Sequence, residues 1–289
     1  MNTYAAHAKI NLSLEILGRR PDGYHNISSV MQTVSLADTL AFAPAAELSV
    51  ETDVPELAGT PGQNLVWRAA RILQEARQVR QGVRITLHKG IPLAAGLGGG
   101  SSDAAMTLRV LDHLWDLRLS EPESLNAARL LGADVAFFLR GGTALVEGIG
   151  ERVTALPALA PCGIVLVTPP IVLPEKTRTL YAALRFYEHS NGALTRHLVD
   201  AVREGTLPGP ALLYNGFEAA AFRLFPELDA IQATIIAAGG EFVRLSGSGP
   251  SLFVLYPTVE EAAALCARLV AAGLPARVVT PITPQVLWP

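Results

Sequence analysis

The sequence predicts a two-domain α+β protein organised around a loop suited to phosphate, and three observations carry that expectation. Residues 8–17 alternate apolar and polar side chains with the period of a β-strand. The glycine-rich run Pro92-Leu-Ala-Ala-Gly-Leu-Gly-Gly-Gly-Ser-Ser-Asp103 joins a strand-like segment to a helix-like one. A proline-rich stretch near 155–161 then divides the chain, with strands and helices mixed on either side. The domains expected are 1–156 and 157–289.

Composition narrows the function classes. At 289 residues there is room for two cores, and with half of the residues apolar and 17% charged the chain is globular rather than disordered. A net charge of −3 without a dense Lys/Arg run argues against a nucleic-acid partner, whose backbone draws on clustered positive charge. Cys162 and Cys266 form no CxxC motif and the six histidines no HExxH motif, so a reducing cytoplasm is the expected compartment. The opening MNTYAAHAKINLSLEI lacks the basic-then-apolar layout of a secretory signal. Val153–Pro174 is uncharged, but prolines at 157, 161, 169, 170 and 174 break it, so it reads as containing a buried strand, Gly163–Thr168, and not a membrane span.

In chain order, Ile10, Leu12, Leu14 and Ile16 face one side of a half-buried first strand, and Lys9, Asn11, Ser13 and Glu15 the exposed other side. Pro21-Asp-Gly23 is turn chemistry that delivers Tyr24 and His25, and a second strand follows over Ile27–Val34. Leu65, Ala69, Ile72 and Ala76 give helical spacing over 64–79, stopped by Gly82, and Val83, Ile85 and Leu87 alternate as a strand. After the glycine loop, Ala104, Leu108, Leu111 and Trp115 form the stripe of a helix whose first turn holds Ser101, Ser102 and Asp103, where Asp103 suits a cap. Ser120-Glu-Pro-Glu123 opens a helix through Leu131 as a capping box, and a strand follows at 143–147. The second half reads as a strand at 163–168, helices from Thr177 and over 210–223 and 226–238, paired strands at 242–245 and 252–256, a helix at 260–272 and a strand at 276–279.

The glycine loop excludes several chemistries by spacing. It contains no Lys and no following GK[ST], so it is not a Walker loop. Gly98-Gly-Gly-Ser-Ser-Asp103 fails the GxGxxG spacing of dinucleotide folds and lacks the last glycine of a GxSxG nucleophile elbow. What remains is a cradle of backbone N–H groups at a helix start with two hydroxyls, which fits a nucleoside triphosphate. Asp134 stands in apolar sequence and would be costly to bury unpaired, and Lys9 is a plausible partner. Such a pair could accept an alcohol proton and steady the alkoxide; taken singly, Asp134 reads as a helix-end or turn carboxylate and Lys9 as a surface lysine, and only together with the loop do they favour catalysis. Tyr24 and His25 can stack on a nucleobase and bond its edge, or pack locally after their turn.

Pro92, Leu93, Ala94, Ala95, Gly96, Leu97, Gly98, Gly99, Gly100, Ser101 and Ser102 together resemble the phosphate motif of the GHMP kinases, the superfamily of galactokinase, homoserine kinase and mevalonate kinase. Leu245-Ser-Gly-Ser-Gly249 resembles its C-terminal glycine motif, which adds Gly247, Ser248 and Gly249 to the expected ATP contacts. Ala8-Lys-Ile-Asn11, Arg19-Arg-Pro-Asp-Gly-Tyr-His25 and Gly132-Ala-Asp-Val135 are similar to the branch acting on a cytidine-diphosphate-linked methylerythritol, on the non-mevalonate route to isoprenoid precursors. The resemblance spans Lys9 to about Tyr256, in order.

The resemblance implies a ribosomal-S5-like nucleotide domain, a ferredoxin-like α/β-plait domain, and an active site in the cleft between them. It implies ATP with Mg²⁺, Asp134 as catalytic base, Lys9 as its charged partner, and a monomer or weak homodimer without nucleic-acid or membrane partners. Tyr24 and His25 would hold the cytosine, Tyr181 would close over it four residues after Thr177, and Asn11 would touch the substrate beside Lys9. For Ser102, a Mg²⁺ or phosphate contact and helix capping stand as equal alternatives. A homoserine or mevalonate kinase is the rival within the superfamily, against which Tyr24 and His25 speak because neither substrate carries a base. A catalytically silent nucleotide-binding regulator is the rival outside it.

Overall fold

A computed structural model describes residues 2–58, 61–171, 173, 175–185 and 188–284. The first half begins with two long antiparallel strands, β1 (Asn2–Arg19) and β2 (His25–Ala45), longer than the alternating patterns that predict them. Then come β3 (Ser49–Thr52), the one-turn α1 (Pro55–Ala58), and α2 (Leu65–Arg77). Asn64 starts α2 by accepting the Val66 N–H at 2.9 Å. The helix ends at Gln78, whose φ of 52° is left-handed, and not at Gly82. Gly82 instead opens β4 (Gly82–His88), where a Cβ would lie 2.4 Å from the Glu47 backbone.

The helix α3 (Gly99–Leu114) begins inside the glycine run. Next are α4 (Glu121–Leu131), opened by the expected Ser120/Glu123 capping box, α5 (Val135–Arg140), β5 (Thr143–Gly148) and β6 (Arg152–Ala155). The first sheet runs β3-β4-β2-β1, with β5 on β2 and β6 on β5. Strand β2 pairs with β5 over Ile27–Gln32 and with β4 over Thr39–Ala45. Leu40, Phe42, Leu73, Ile85, Leu108 and Phe137 bury a common core between this sheet and α2, α3 and α5, each contributing about 1.5–3 kcal/mol.

The second half contains β7 (Gly163–Val167), α6 (Lys176–Ala183), α7 (Ala193–Arg203), β8 (Tyr214–Asn215), α8 (Glu218–Leu224) and α9 (Pro226–Ala237). It continues with β9 (Arg244–Leu245), β10 (Leu252–Tyr256), α10 (Val259–Ala271) and β11 (Ala276–Val279). The order β11-β7-β10-β9, antiparallel throughout, is the α/β plait. The helix expected over 210–223 does not form as one element. Pro210–Leu212 is a 3-10 turn, Tyr214–Asn215 joins a sheet, and Asn215 Oδ1 accepts the Phe217 N–H at 2.9 Å just before α8. The strand expected from Phe242 starts only at Arg244, because Phe242 has a φ of 51°. Pro174 lies outside the described residues.

The half-buried first strand is also corrected. Lys9, Asn11, Ser13 and Glu15 are buried, so both faces of β1 are covered over 8–16. The sequence pattern is polar because those residues bond across the strand's neighbours: Ser13 Oγ lies 3.0 Å from Thr195 Oγ1, and Glu15 accepts the Thr195 N–H at 2.7 Å. Thr195 is on α7, a helix the sequence reading omits, and β8 pairs in parallel with β1 beside it. Residues after 157 therefore complete the first sheet as well as building the second. Among the described residues no helix is long and apolar enough to cross a membrane.

Candidate active site

The glycine loop is shaped by where its carbonyl groups go. Ala94 O accepts from Lys176 Nζ, Ala95 O from the Ser251 N–H at 3.1 Å, and Gly96 O from Ser246 Oγ and Lys9 Nζ, both at 3.1 Å. Leu97 O accepts the Lys9 N–H and Gly98 O the Ser102 N–H, both at 2.9 Å. The N–H groups of Gly96, Leu97 and Gly98, by contrast, make no hydrogen bond among the described residues. A loop tied down by its acceptors presents its donors, which is the polarity an anion needs. Glycine is required at two points: a Cβ on Gly96 would come 2.3 Å from Ser246 O, and one on Gly98 2.7 Å from the Phe138 ring. Both have left-handed φ, 81° and 71°.

Lys9 rises from β1 under this loop. Its ammonium donates to Asn11 Oδ1 at 2.7 Å and lies 3.8 Å from Asp134 Oδ2. Asn11 is oriented in turn by donating to Ser29 Oγ at 2.9 Å, and Ser29 donates to Ser13 O at 2.6 Å, which fixes the Asn11 oxygen toward Lys9. Burial lowers the Lys9 pKa, with the Asp134 charge opposing. Asp134 sits at the N-cap position of α5, yet its side chain makes no cap bond. It is instead 32% exposed, so one carboxylate edge pairs with Lys9 while the group stays reachable from the cleft.

The residues expected around a base are brought together in part. The His25 and Tyr181 rings stack on each other, centroids 4.6 Å apart, and Tyr181 meets Phe217 edge-on at 4.8 Å. Burial, and secondarily the Asp134 charge, raises the Tyr181 hydroxyl to about 12. Tyr24, the residue before His25, is 62% exposed and is in no ring contact with them among the described residues. Thr177 Oγ1 lies 2.9 Å from Ser248 Oγ, which ties α6 to the C-terminal glycine motif. That motif is held by Asn215 Nδ2, which donates to Leu245 O at 2.7 Å and Gly247 O at 2.8 Å.

Asp103 does not cap α3. Gly98 holds the N-cap position, and Asp103 is buried against Lys89, whose ammonium lies 2.8 Å from Asp103 Oδ2 and also contacts Asp38. Asp38 in turn accepts the Gly90 and Ile91 N–H groups at 2.7 Å, anchoring the strand-to-loop junction. Two carboxylates share one ammonium. Burial raises Asp103 to about 8, with Lys89 opposing and Asp38 adding to the rise, and its Oδ1 has no partner. The folded state therefore holds a proton on Asp103 that the unfolded chain releases near 3.8, and stability from this group, full below that value, is lost as pH rises through about 8. Asp103→Asn mimics the protonated form. Thermal unfolding should show the gap between variant and wild type widening in the variant's favour from pH 5 to pH 8.5; a constant difference across that range would contradict the assignment.

Lys89, Lys176, Asn215 and Ser29 are the functional neighbours that sequence reading missed. Lys89 stands only three residues before Pro92, and that closeness was the available signal. For a metal, no group of three His, Cys, Asp or Glu forms among the described residues. The hard oxygens present, the Asp134 carboxylate and the Ser102 hydroxyl, fit a Mg²⁺ held mainly by nucleotide phosphates and not by a protein cage. A cavity of 1020 Å³ lies behind α3 and α5, walled by Met106, Val110, Leu125 and Leu139, and includes none of the loop residues, Lys9 or Asp134.

Comparison with known proteins places this geometry. Residues 64–142 match the GHMP kinases N terminal domain and residues 198–275 the GHMP kinases C terminal model. The chain is 41% identical over 268 residues to 4-diphosphocytidyl-2-C-methyl-D-erythritol kinase of Pelotomaculum thermopropionicum, covering 92% of this chain and 93% of the relative. It is likewise 41% identical to the protein of that name from Symbiobacterium thermophilum, over 91% and 93% of the two chains. A crystal structure of 4-(cytidine 5'-diphospho)-2C-methyl-D-erythritol kinase superposes with a TM-score of 0.82 at 37% identity, covering 97% of this chain and 99% of the other. Homoserine kinase from Cytophaga hutchinsonii, at 20% identity and TM-score 0.75 over 97% and 94%, shares the fold.

Proposed function

The chain belongs to the 4-diphosphocytidyl-2-C-methyl-D-erythritol kinase family of GHMP kinases, and we propose that it transfers the γ-phosphoryl group of ATP to the 2-hydroxyl of that cytidylated polyol. The observation that carries the mechanism is the Lys9 ammonium, buried beneath the glycine loop and 3.8 Å from the accessible Asp134 carboxylate. Phosphoryl transfer needs positioning and charge stabilisation more than covalent help from the protein. Asp134 accepts the proton of the acceptor hydroxyl as its oxygen attacks. Lys9, fixed by Asn11 and Gly96, faces the charge that develops between alkoxide and phosphoryl oxygens. The N–H groups of residues 96–98 and the start of α3 take the triphosphate. A Mg²⁺ on those phosphates would neutralise part of their charge, and Ser102 and Asp134 are the residues that would hold it.

The acceptor's base is read at the other end of the cleft. Tyr24 offers an open face, and His25 and Tyr181 supply a second aromatic surface with polar edges. Tyr24→Ala is expected to raise KM for the cytidylated acceptor about tenfold, the scale of one lost base–aromatic stack, with KM for ATP unchanged; equal acceptor KM values would return Tyr24 to a packing role. The assignment itself is tested by purified protein with Mg-ATP and a panel of alcohols. Turnover of the cytidylated substrate far above homoserine and mevalonate is expected, and comparable turnover of either would sink it.

A further inference from the structure

The cradle contains a cation that the reaction as described leaves unused. Lys176, the first residue of α6, places its ammonium against two backbone carbonyl groups, Ala94 O and Gly249 O. Those two carbonyls belong to different glycine motifs, packed together in space but more than a hundred residues apart in sequence. Ala94 is among the strained points of the loop, a non-glycine residue with a left-handed φ of 51°. The Lys176 contact holds the carbonyl of that residue. The adjoining Thr177–Ser248 contact makes the N-terminus of α6 a two-residue bridge to the C-terminal motif.

We propose that Lys176 is the cation of the nucleotide cradle: it pins the glycine loop to the C-terminal glycine motif and supplies positive charge to a bound triphosphate. This rests on the kinase reading above and extends it to the residue that joins the two halves of the nucleotide site. The electrostatics agree. The ammonium is half-buried and within range of the Lys9 charge, and burial, then Lys9, lowers its pKa to about 8. Two cations confined together in a cleft are stabilised by an anion between them. Asp134 balances only Lys9. A polyphosphate supplies what is missing, and the glycine loop, which has no lysine of its own, thereby acquires one from the facing domain.

The test is binding of Mg-ATP by calorimetry to the full chain without acceptor, for wild type and for Lys176→Met, Lys176→Gln and Lys176→Arg, each checked for folding by thermal unfolding. Steady-state kinetics follow on the same proteins. Lys176→Met and Lys176→Gln are expected to weaken ATP binding at least about tenfold, the scale of a lost charge-assisted hydrogen bond. KM for ATP should rise in parallel, while kcat and KM for the acceptor stay within about threefold, and Lys176→Arg should recover most of the loss. ATP affinity unchanged in folded Lys176→Met, or recovery by Gln as full as by Arg, would overturn the proposal and leave the kinase reading standing. A wild type that binds ATP but does not phosphorylate the cytidylated polyol would overturn the acceptor assignment, with the binding series still judging Lys176. A wild type without ATP affinity would overturn both.

Discussion

Asp134→Asn is expected to lower kcat by about 10²–10⁴-fold, the range typical of a lost general base, while ATP affinity changes little. The two parts of that expectation come from different contacts. The amide cannot take the acceptor proton, so the transition state loses its sink for charge. The glycine loop, however, is held by Ser251, Ser246 and Lys9, none of which needs the Asp134 carboxylate. Asn is close in size to Asp and the position makes no cap bond, so α5 has no structural reason to shift. Single-turnover and steady-state assays on the purified variant decide the matter. A kcat near wild type would remove Asp134 as base, and would leave it the lesser task of orienting the hydroxyl.

Lys9→Met carries the second large effect, a fall in kcat of about 10²–10³-fold, comparable to removing one preorganised donor from a developing oxyanion. Stability should respond far less than activity. Met fills a similar volume with an apolar chain, and it removes an ammonium whose pKa is lowered by burial, which is a sign that the folded state disfavours its charge. Asn11 Oδ1 loses a donor, whereas Gly96 O keeps the Ser246 hydroxyl. A thermal midpoint close to wild type with activity lost is therefore the expected combination. Collapse of the fold in Lys9→Met would show that the ammonium is a structural tie first. In the wild type, the same lowered pKa places the alkaline loss of turnover below the ordinary lysine value of 10.5.

Much of this site was legible in the sequence because its parts are local. A glycine run before a helix is written in consecutive residues, and so are the capping box at Ser120–Glu123 and the alternation of Val83, Ile85 and Leu87. The role of Lys9 needed a second element, yet its neighbours in β1 already announced a strand with Asn11 on the same face. What the sequence hid was what covers that face. Ser13 and Glu15 look solvent-facing until α7 arrives from residue 193 with Thr195 to bond them. The omission of α7 and the single helix drawn across 210–223 share this cause: β8 exists only because β1 offers it an edge. Asp103 was misread for the same reason. At a helix start a carboxylate suits a cap, and only the tertiary placement of Lys89 turns it the other way.

Lys176 shows the limit most plainly. One lysine at a helix start carries no signal in sequence, and its meaning depends on two carbonyl groups contributed by residues 94 and 249. Charge in this cleft is assembled from three distant places, at Lys9, Lys89 and Lys176, because the glycine loop contributes backbone donors alone. Lys89 is paired with Asp38 and also bonds Asp103 below the loop, Lys9 is shared with Asp134, and among the described residues Lys176 meets carbonyl dipoles and no carboxylate. That gradient, from paired to unpaired cation, runs toward where the phosphates are expected.

The most direct measurement is a crystal structure of the protein with a non-hydrolysable ATP analogue, Mg²⁺ and the cytidylated methylerythritol. Triphosphate oxygens are expected on the N–H groups of residues 96–101, the cytosine against Tyr24, and the acceptor hydroxyl between Asp134 and the γ-phosphorus with Lys9 beside it. A triphosphate bound away from the glycine loop, or an acceptor hydroxyl out of reach of Asp134, would contradict this mechanism.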